Sequence, residues 1–287
     1  IGGILLNVLM TKMVADWFAG REIATAMAIF VNSWPAGIAL GLIVLPVIQD
    51  AAGFAGVNLA TAAAAALGFL LLAVLYRPPQ VSAQLKAPAA ASAWPEGLTL
   101  NAVVIAGSIW GLYNAALAMV FGFGTALLTE RGWTLIAAGA ATSLVLWLVS
   151  VSVPAGGVLA DQTGRNKLVM LGGFIAFAAC LFAATRTEHI LPAFILLGIV
   201  GGLSAGPIMS LPARVLAPEA RAVGMGLYFS IFYVFSVAAP ILAGWSAAQR
   251  GTSQVAFDLG AVMLVVCIAL YRRFERIVGT SPATAQA

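Results

Sequence analysis

The stretch Gly157-Val158-Leu159-Ala160-Asp161-Gln162-Thr163-Gly164-Arg165-Asn166-Lys167 is a short charged hinge between two uncharged runs, residues 132–160 and 168–185. At about 1.5 Å per residue, each run is long enough to cross or nearly cross a bilayer. The hinge therefore reads as a loop between membrane helices. Its glycines permit a tight reversal, its lone carboxylate lies where it can meet helix N-terminal amides or an arginine, and its two cations suit a cytoplasmic loop.

Composition points the same way. Hydrophobic residues make up 62% of the chain and charged residues only 8%, against roughly a quarter charged in soluble domains. That composition predicts an all-α, polytopic transmembrane helix bundle. The net charge of +4 raises the question of nucleic acid. The cations, however, stand singly or in pairs beside apolar runs, with no basic face, so no nucleic-acid partner is expected. Cys180 and Cys267 fall inside apolar stretches and read as small buried hydrophobes, and a single His189 cannot build a metal site alone. No metal or cofactor is expected.

The hinge resembles the loop motif of the major facilitator superfamily, G-x-L-A-D-x-x-G-R-[KR]-x. The match falls at Gly157, Leu159, Ala160, Asp161, Gly164 and Arg165, with Lys167 one place later than the family's second basic residue. The resemblance implies two six-helix halves joined by a cytoplasmic linker. It implies secondary transport of a small solute across the cytoplasmic membrane, bacterial inner membrane, by rocker-switch alternating access. The lipid bilayer and a small-molecule substrate would be its partners, with protons a candidate coupling ion.

Residues 1–11 are apolar apart from Asn7 and read as the back half of a helix, followed by a loop holding Lys12, Asp16, Arg21 and Glu22. Spans are predicted at 23–49 and 55–76. Residues 77–97 hold Pro78, Pro79, Pro88 and Pro95 among polar residues and read as a linker. Six further spans are predicted near 98–128, 133–159, 168–185, 190–213, 222–247 and 253–271, then a polar tail over 272–287. The predicted domains are thus 1–76, the remainder of an N-terminal half; 77–97, the cytoplasmic linker; 98–271, a complete six-helix half; and 272–287, a cytoplasmic tail. Against the family pattern the chain matches from midway through the fourth helix to the twelfth, with the first three absent from this sequence. One set of loops holds Lys12, Arg21, Arg77, Lys86, Arg165, Lys167, Arg214, Arg221, Arg272, Arg273 and Arg276, the other Arg131, Arg186 and Arg250. Positive charge concentrates on cytoplasmic loops, which places the linker and C-terminus there.

The starts of two spans echo each other, Arg21-Glu22-Ile23-Ala24-Thr25-Ala26-Met27 and Arg221-Ala222-Val223-Gly224-Met225-Gly226-Leu227, as in transporters built from two related halves. Asp16 to Glu22 with Asn32-Ser33-Trp34-Pro35 resembles bacterial permeases of the cyanate and nitroimidazole type.

The family resemblance implies that the segments at 98–128 and 190–213, with 133–159, 222–247, 1–11 and 23–49, line a substrate cavity. The other three spans would face lipid. Candidate cavity residues are Asn32, Ser108, Trp110, Tyr113, Asn114, Tyr228 and Tyr233, with Asn7, Ser33, Ser230 and Ser236 as further polar groups. Positions 110, 113, 114 and 117 share one helical face. The alternative is interhelical packing with polar residues as glue. The cytoplasmic gate motif comprises Gly157, Asp161, Gly164, Arg165, Lys167 and Arg221. Asp161 is expected to pair with the helix start after Arg221, or with Arg221 itself. Gly198, Gly202 and Gly206 recur every fourth residue and read as close helix packing, while Pro35, Pro207 and Pro240 are candidate bending points.

No ionisable residue lies near the middle of a complete span. Such residues usually mark proton or ion paths, so coupling groups would sit in the absent helices, or the protein is a facilitator or exchanger that needs none. No His-Glu-x-x-His, Ser-Lys or Cys-His pattern lies at membrane depth, so an enzyme is not expected. A non-transporting receptor or assembly protein on the same scaffold is the other alternative.

Overall fold

The computed structural model describes residues 2–18, 22–77 and 94–280. Among these the regular structure is helical, in nine α-helices: α1 (Gly2–Phe18), α2 (Ile23–Leu75), α3 (Gly97–Glu130), α4 (Leu135–Thr163), α5 (Asn166–Ala184), α6 (Ile190–Gly201), α7 (Ala205–Ser210), α8 (Arg221–Arg250) and α9 (Gln254–Thr280). Seven helical stretches among the described residues are long and apolar enough to cross a membrane. The predicted α-helical membrane bundle is what is found.

The chain divides into two compact units. The first holds Ile1–Asn32 and Ala90–Ala287, the second Ser33–Ala89. In the second, the span Ala51–Leu75 carries long apolar side chains in the open, among them Phe54, Leu59, Phe69 and Val74. In the first, α3 is the central helix and packs on α4, α8 and α9; α4 packs on α6, α5 on α9, and α1 on α8. The interior is aromatic, with Tyr113, Phe174, Phe177, Phe194 and Phe257 fully enclosed. Val151, Ile175, Val234, Ile241 and Val262 stand exposed on the outside of the same helices. A bundle apolar both inside and out is suited to lipid, where backbone groups must be paired within each helix.

Local chemistry fixes the ends. Thr134 accepts a hydrogen bond from the Ala137 amide at the start of α4. Glu130, at the end of α3, accepts from the Ser253 amide and hydroxyl and from the Thr252 hydroxyl, so one carboxylate caps the start of α9. Small residues bring the central helices together: a Cβ on Gly107 would lie 3.0 Å from the Tyr228 carbonyl, and one on Gly111 2.5 Å from the Phe235 ring.

Several boundaries differ from the sequence-based expectation. The first helix does not stop before Lys12 but runs to Phe18, which puts Lys12 and Asp16 one turn apart, where they pair at 2.5 Å. The two spans predicted at 23–49 and 55–76 meet at a kink inside the predicted gap and not at a longer loop. Helical dihedrals extend over Ile23–Leu75 and fail at Gly53 alone, with φ 65 and ψ −169, a conformation open to glycine. The last helix runs through Arg272, Arg273 and Arg276 to Thr280, so the polar tail does not begin at 272. Its apolar positions continue past the arginines, with Phe274 and Val278 buried. Pro78, Pro79 and Pro88 of the linker, Lys86 and Arg21 lie outside the described residues, while Pro95 is described and buried.

Candidate functional site

The loop motif is built as an end-to-end contact between α4 and the first turn of α2. Gly164 ends α4 in the left-handed conformation, φ 64, and its amide returns to the Asp161 carbonyl. The left-handed turn explains a glycine there. Gly157, two turns earlier, sits against α2: a Cβ added to it would lie 2.6 Å from Ala28 Cβ and 2.7 Å from the Ala24 carbonyl oxygen. Gly206 of α7 faces the same place, its added Cβ falling 2.4 Å from the Ala24 carbonyl oxygen. The start of α2 therefore lies in a groove floored by two glycines.

One turn beyond Gly157, Asp161 Oδ2 accepts a hydrogen bond from the Thr25 amide at 2.6 Å, across 136 residues of sequence. The first amides of a helix lack intrahelical acceptors and carry partial positive charge. The expected partnership is thereby corrected. Asp161 meets the start of α2, not the start of the helix after Arg221, and not Arg221 itself. Arg221 instead donates to Asp16 Oδ1 at 2.6 Å, with both side chains largely buried. Asp16 also holds Lys12, so one carboxylate near the end of α1 binds two cations. The echo between residues 21–27 and 221–227 marks two helix starts that both take part, each facing a carboxylate. Asp16 and Thr25 were missed as partners; the i, i+4 spacing of Lys12 and Asp16 was the available signal.

Deeper in the bundle, the span from Ile190 to Arg214 is broken. Helix α6 ends at Gly201 and α7 begins at Ala205. Pro207 has no amide to give the Leu203 carbonyl four residues earlier, and its ring crowds that position. The break is stitched by side chains. The Tyr113 hydroxyl donates to the Gly201 carbonyl at 2.5 Å, the Ser152 hydroxyl donates to Gly198 and accepts from the Gly202 amide, and the Ser204 hydroxyl donates to the Met170 carbonyl. Irregular backbone survives at such depth where protein groups satisfy it. The glycine series packs as expected: Cβ atoms on Gly198 and Gly202 would fall 2.4 Å from Leu148 Cβ and 2.3 Å from Ser152 Oγ. Of the three candidate bending prolines, Pro207 alone adjoins a break. Helix α8 runs on through Pro240, and in α2 the non-helical residue is Gly53, not Pro35.

The candidate cavity residues divide by surroundings. Tyr113 is enclosed between Trp110, Phe174 and Phe177 and spends its hydroxyl on Gly201. Tyr228 is fully buried, its hydroxyl 3.4 Å from Met209 Sδ. Ser108 and Asn114 are partly exposed and donate to the carbonyls of Val104 and Trp110 on their own helix. Tyr233 is half-buried against Phe232. Asn32 Oδ1 and Trp110 Nε1 are buried with no hydrogen-bond partner among the described residues, one acceptor and one donor. Unsatisfied buried polar atoms are uncommon and call for an explanation.

The far end of the bundle is fastened separately. Arg186 makes a two-pronged contact with Asp258, at 2.7 and 3.1 Å, and lies over the Phe182 ring; Asp258 raises its pKa chiefly through that hydrogen bond. Arg131 donates to the Thr185 and Thr187 carbonyls.

Residues 102–286 match the family model described as Major Facilitator Superfamily. The chain belongs to that superfamily. A curated relative, the inner membrane metabolite transport protein YhjE of Escherichia coli (strain K12), is 28% identical over 145 residues, covering 46% of this chain and 33% of the relative. The chain thus matches about a third of that protein's length. Together with the apolar helices, membership makes this a multi-pass membrane protein.

Proposed function

We propose that the chain acts in a secondary transporter that moves a small solute across the bacterial inner membrane by alternating access. Residues 1–76 serve in one half, 98–271 form the other, and 77–97 join them on the cytoplasmic side. The observation that carries this is the Asp161 to Thr25 hydrogen bond. It ties the motif of one half to a helix start in the other, and the Arg221 to Asp16 pair repeats the tie in the opposite sense.

Together the two contacts close the cytoplasmic end, and both are of a kind that can open. A carboxylate at a helix start contributes about 0.3–1 kcal/mol, and a hydrogen bond to a charged group about 1.5–3 kcal/mol. These are the magnitudes of a two-state equilibrium that a solute can tip. Asn32 Oδ1 is free to accept a hydrogen bond from a solute and Trp110 Nε1 to donate one, and Ser108, Asn114 and Tyr233 extend the polar lining. Tyr113 and Tyr228 support that wall from behind. The name of the matched relative favours a metabolite, and the likeness to cyanate and nitroimidazole permeases makes small polar solutes the first to try.

Uptake into proteoliposomes containing the full-length protein, with and without a pH gradient, tests the reading. Asp161→Asn should slow uptake while the protein remains in the membrane. Equal rates for Asp161→Asn and the unsubstituted protein would refute the closing role, and uptake of no solute by either would refute transport.

A further inference from the structure

A cleft of about 340 Å³ opens beside the motif, where the first turn of α5 meets the end of α7, the turn that follows it and the last turns of α9. Its polar lining includes Arg165, Asn166, Lys167, Arg214, Tyr271 and Glu275. Three cations face one carboxylate, and Arg214 pairs with that carboxylate at 2.7 Å. Its guanidinium also lies 5.5 Å from the Phe274 ring, which holds it in place. Neither Arg165 nor Lys167 has an ion pair among the described residues, and no side chain caps the start of α5. Asn166 Oδ1 is buried without a partner; rotating that carboxamide turns its NH₂ to the same position.

We propose that this cleft binds a phosphate oxyanion. Two unpaired cations, a fixed guanidinium, a carboxamide and the open amides of a 19-residue helix supply donors from three elements to one concavity. The volume is that of a ligand site and not of a single water. Its depth fits too. The cleft lies where the apolar stretches Asn166–Ala184 and Gln254–Gly279 meet their basic ends, with Arg272 and Arg273 exposed alongside. Anionic headgroups sit at that level, so the phosphate comes from a phospholipid or from solution. None of this depends on the transport reading.

The test uses the full-length protein in two arms. In phosphatidylcholine vesicles doped with spin-labelled phosphatidylglycerol, the motionally restricted signal reports lipid binding; in detergent, phosphorus line broadening reports inorganic phosphate. Lys167→Gln should weaken association about five-fold, and Arg165→Gln combined with Lys167→Gln about 25-fold. Arg250→Gln, which removes one charge at the far end, should change it less than about two-fold, and Lys167→Arg should retain it. Loss confined to the lipid arm assigns a headgroup site; loss in the phosphate arm assigns a soluble anion. Equal behaviour of Lys167→Gln and Arg250→Gln in both arms would overturn the proposal, as would Lys167→Arg behaving like Lys167→Gln.

Discussion

Two tyrosine hydroxyls look alike in the sequence and differ in what they hold. Tyr113 donates to a carbonyl at the break between α6 and α7, whereas Tyr228 reaches only a thioether sulfur. Tyr113→Phe leaves the Gly201 oxygen unpaired and should cost about 1 kcal/mol. That lowers the thermal midpoint in detergent by about 2–4 °C. Tyr228→Phe should lower it by less than half as much, and equal midpoints for the two would show that the hydroxyl does not support the break. At Gly157 the limit is steric. Gly157→Ala places a methyl 2.6–2.9 Å from Ala28, Ala24 and Thr25, so α2 must shift. Overpacking of this kind costs about 1–3 kcal/mol. The expected readout is a thermal midpoint in detergent lowered by at least about 2 °C in Gly157→Ala; an unchanged midpoint would contradict the docking described here.

Among elements, the six spans from residue 98 onward were legible because each is an apolar run of nearly membrane length or more, uncharged but for Asp258 near the start of the last. Their internal breaks were less so. Pro207 announced a weakness, but which residues of 190–213 depart from helix depends on Tyr113 and Ser152, which lie on other helices, and on Ser204 within the break, which is tied to Met170 of α5. Pro207→Ala restores an amide to the Leu203 carbonyl and should raise the thermal midpoint while slowing uptake; a faster, less stable variant would show the break to be no part of the cycle. Helix ends misled where charge was taken for a terminus. Lys12 and Arg272 both lie within helices, because their long side chains reach polar surroundings while the apolar face stays packed. Glu130 was likewise unreadable as a cap, since its acceptor role is fixed by Ser253, 123 residues away. Glu130→Gln keeps an oxygen but loses the charge and should cost about 1 kcal/mol. A midpoint unchanged by it would deny the cap any weight.

At the scale of the molecule, the distribution of arginine and lysine told which loops share an end. Arg165, Lys167 and Arg214 line one cleft, while Arg186 and Arg131 fasten the opposite end. What sequence could not give was which helix start each carboxylate meets. Either helix start in the repeat could have met Asp161, and only packing of Ala24 and Ala28 on Gly157 and Gly206 selects α2. Single cysteines at 167 and 250 should react with an impermeant thiol reagent from opposite faces of the membrane, 167 from the cytoplasm.

The central proposal is that Asp161 on Thr25 and Arg221 on Asp16 hold one end of the bundle shut. Spin labels at Phe18 and Gln162, with Cys180 and Cys267 replaced by alanine, measure that end directly by pulsed electron resonance. The unsubstituted pair should give one short-distance population. Adding Asp161→Asn and Arg221→Gln, which together remove about 2 kcal/mol, should bring up a second, longer one. Identical distance distributions with and without the two substitutions would contradict the account.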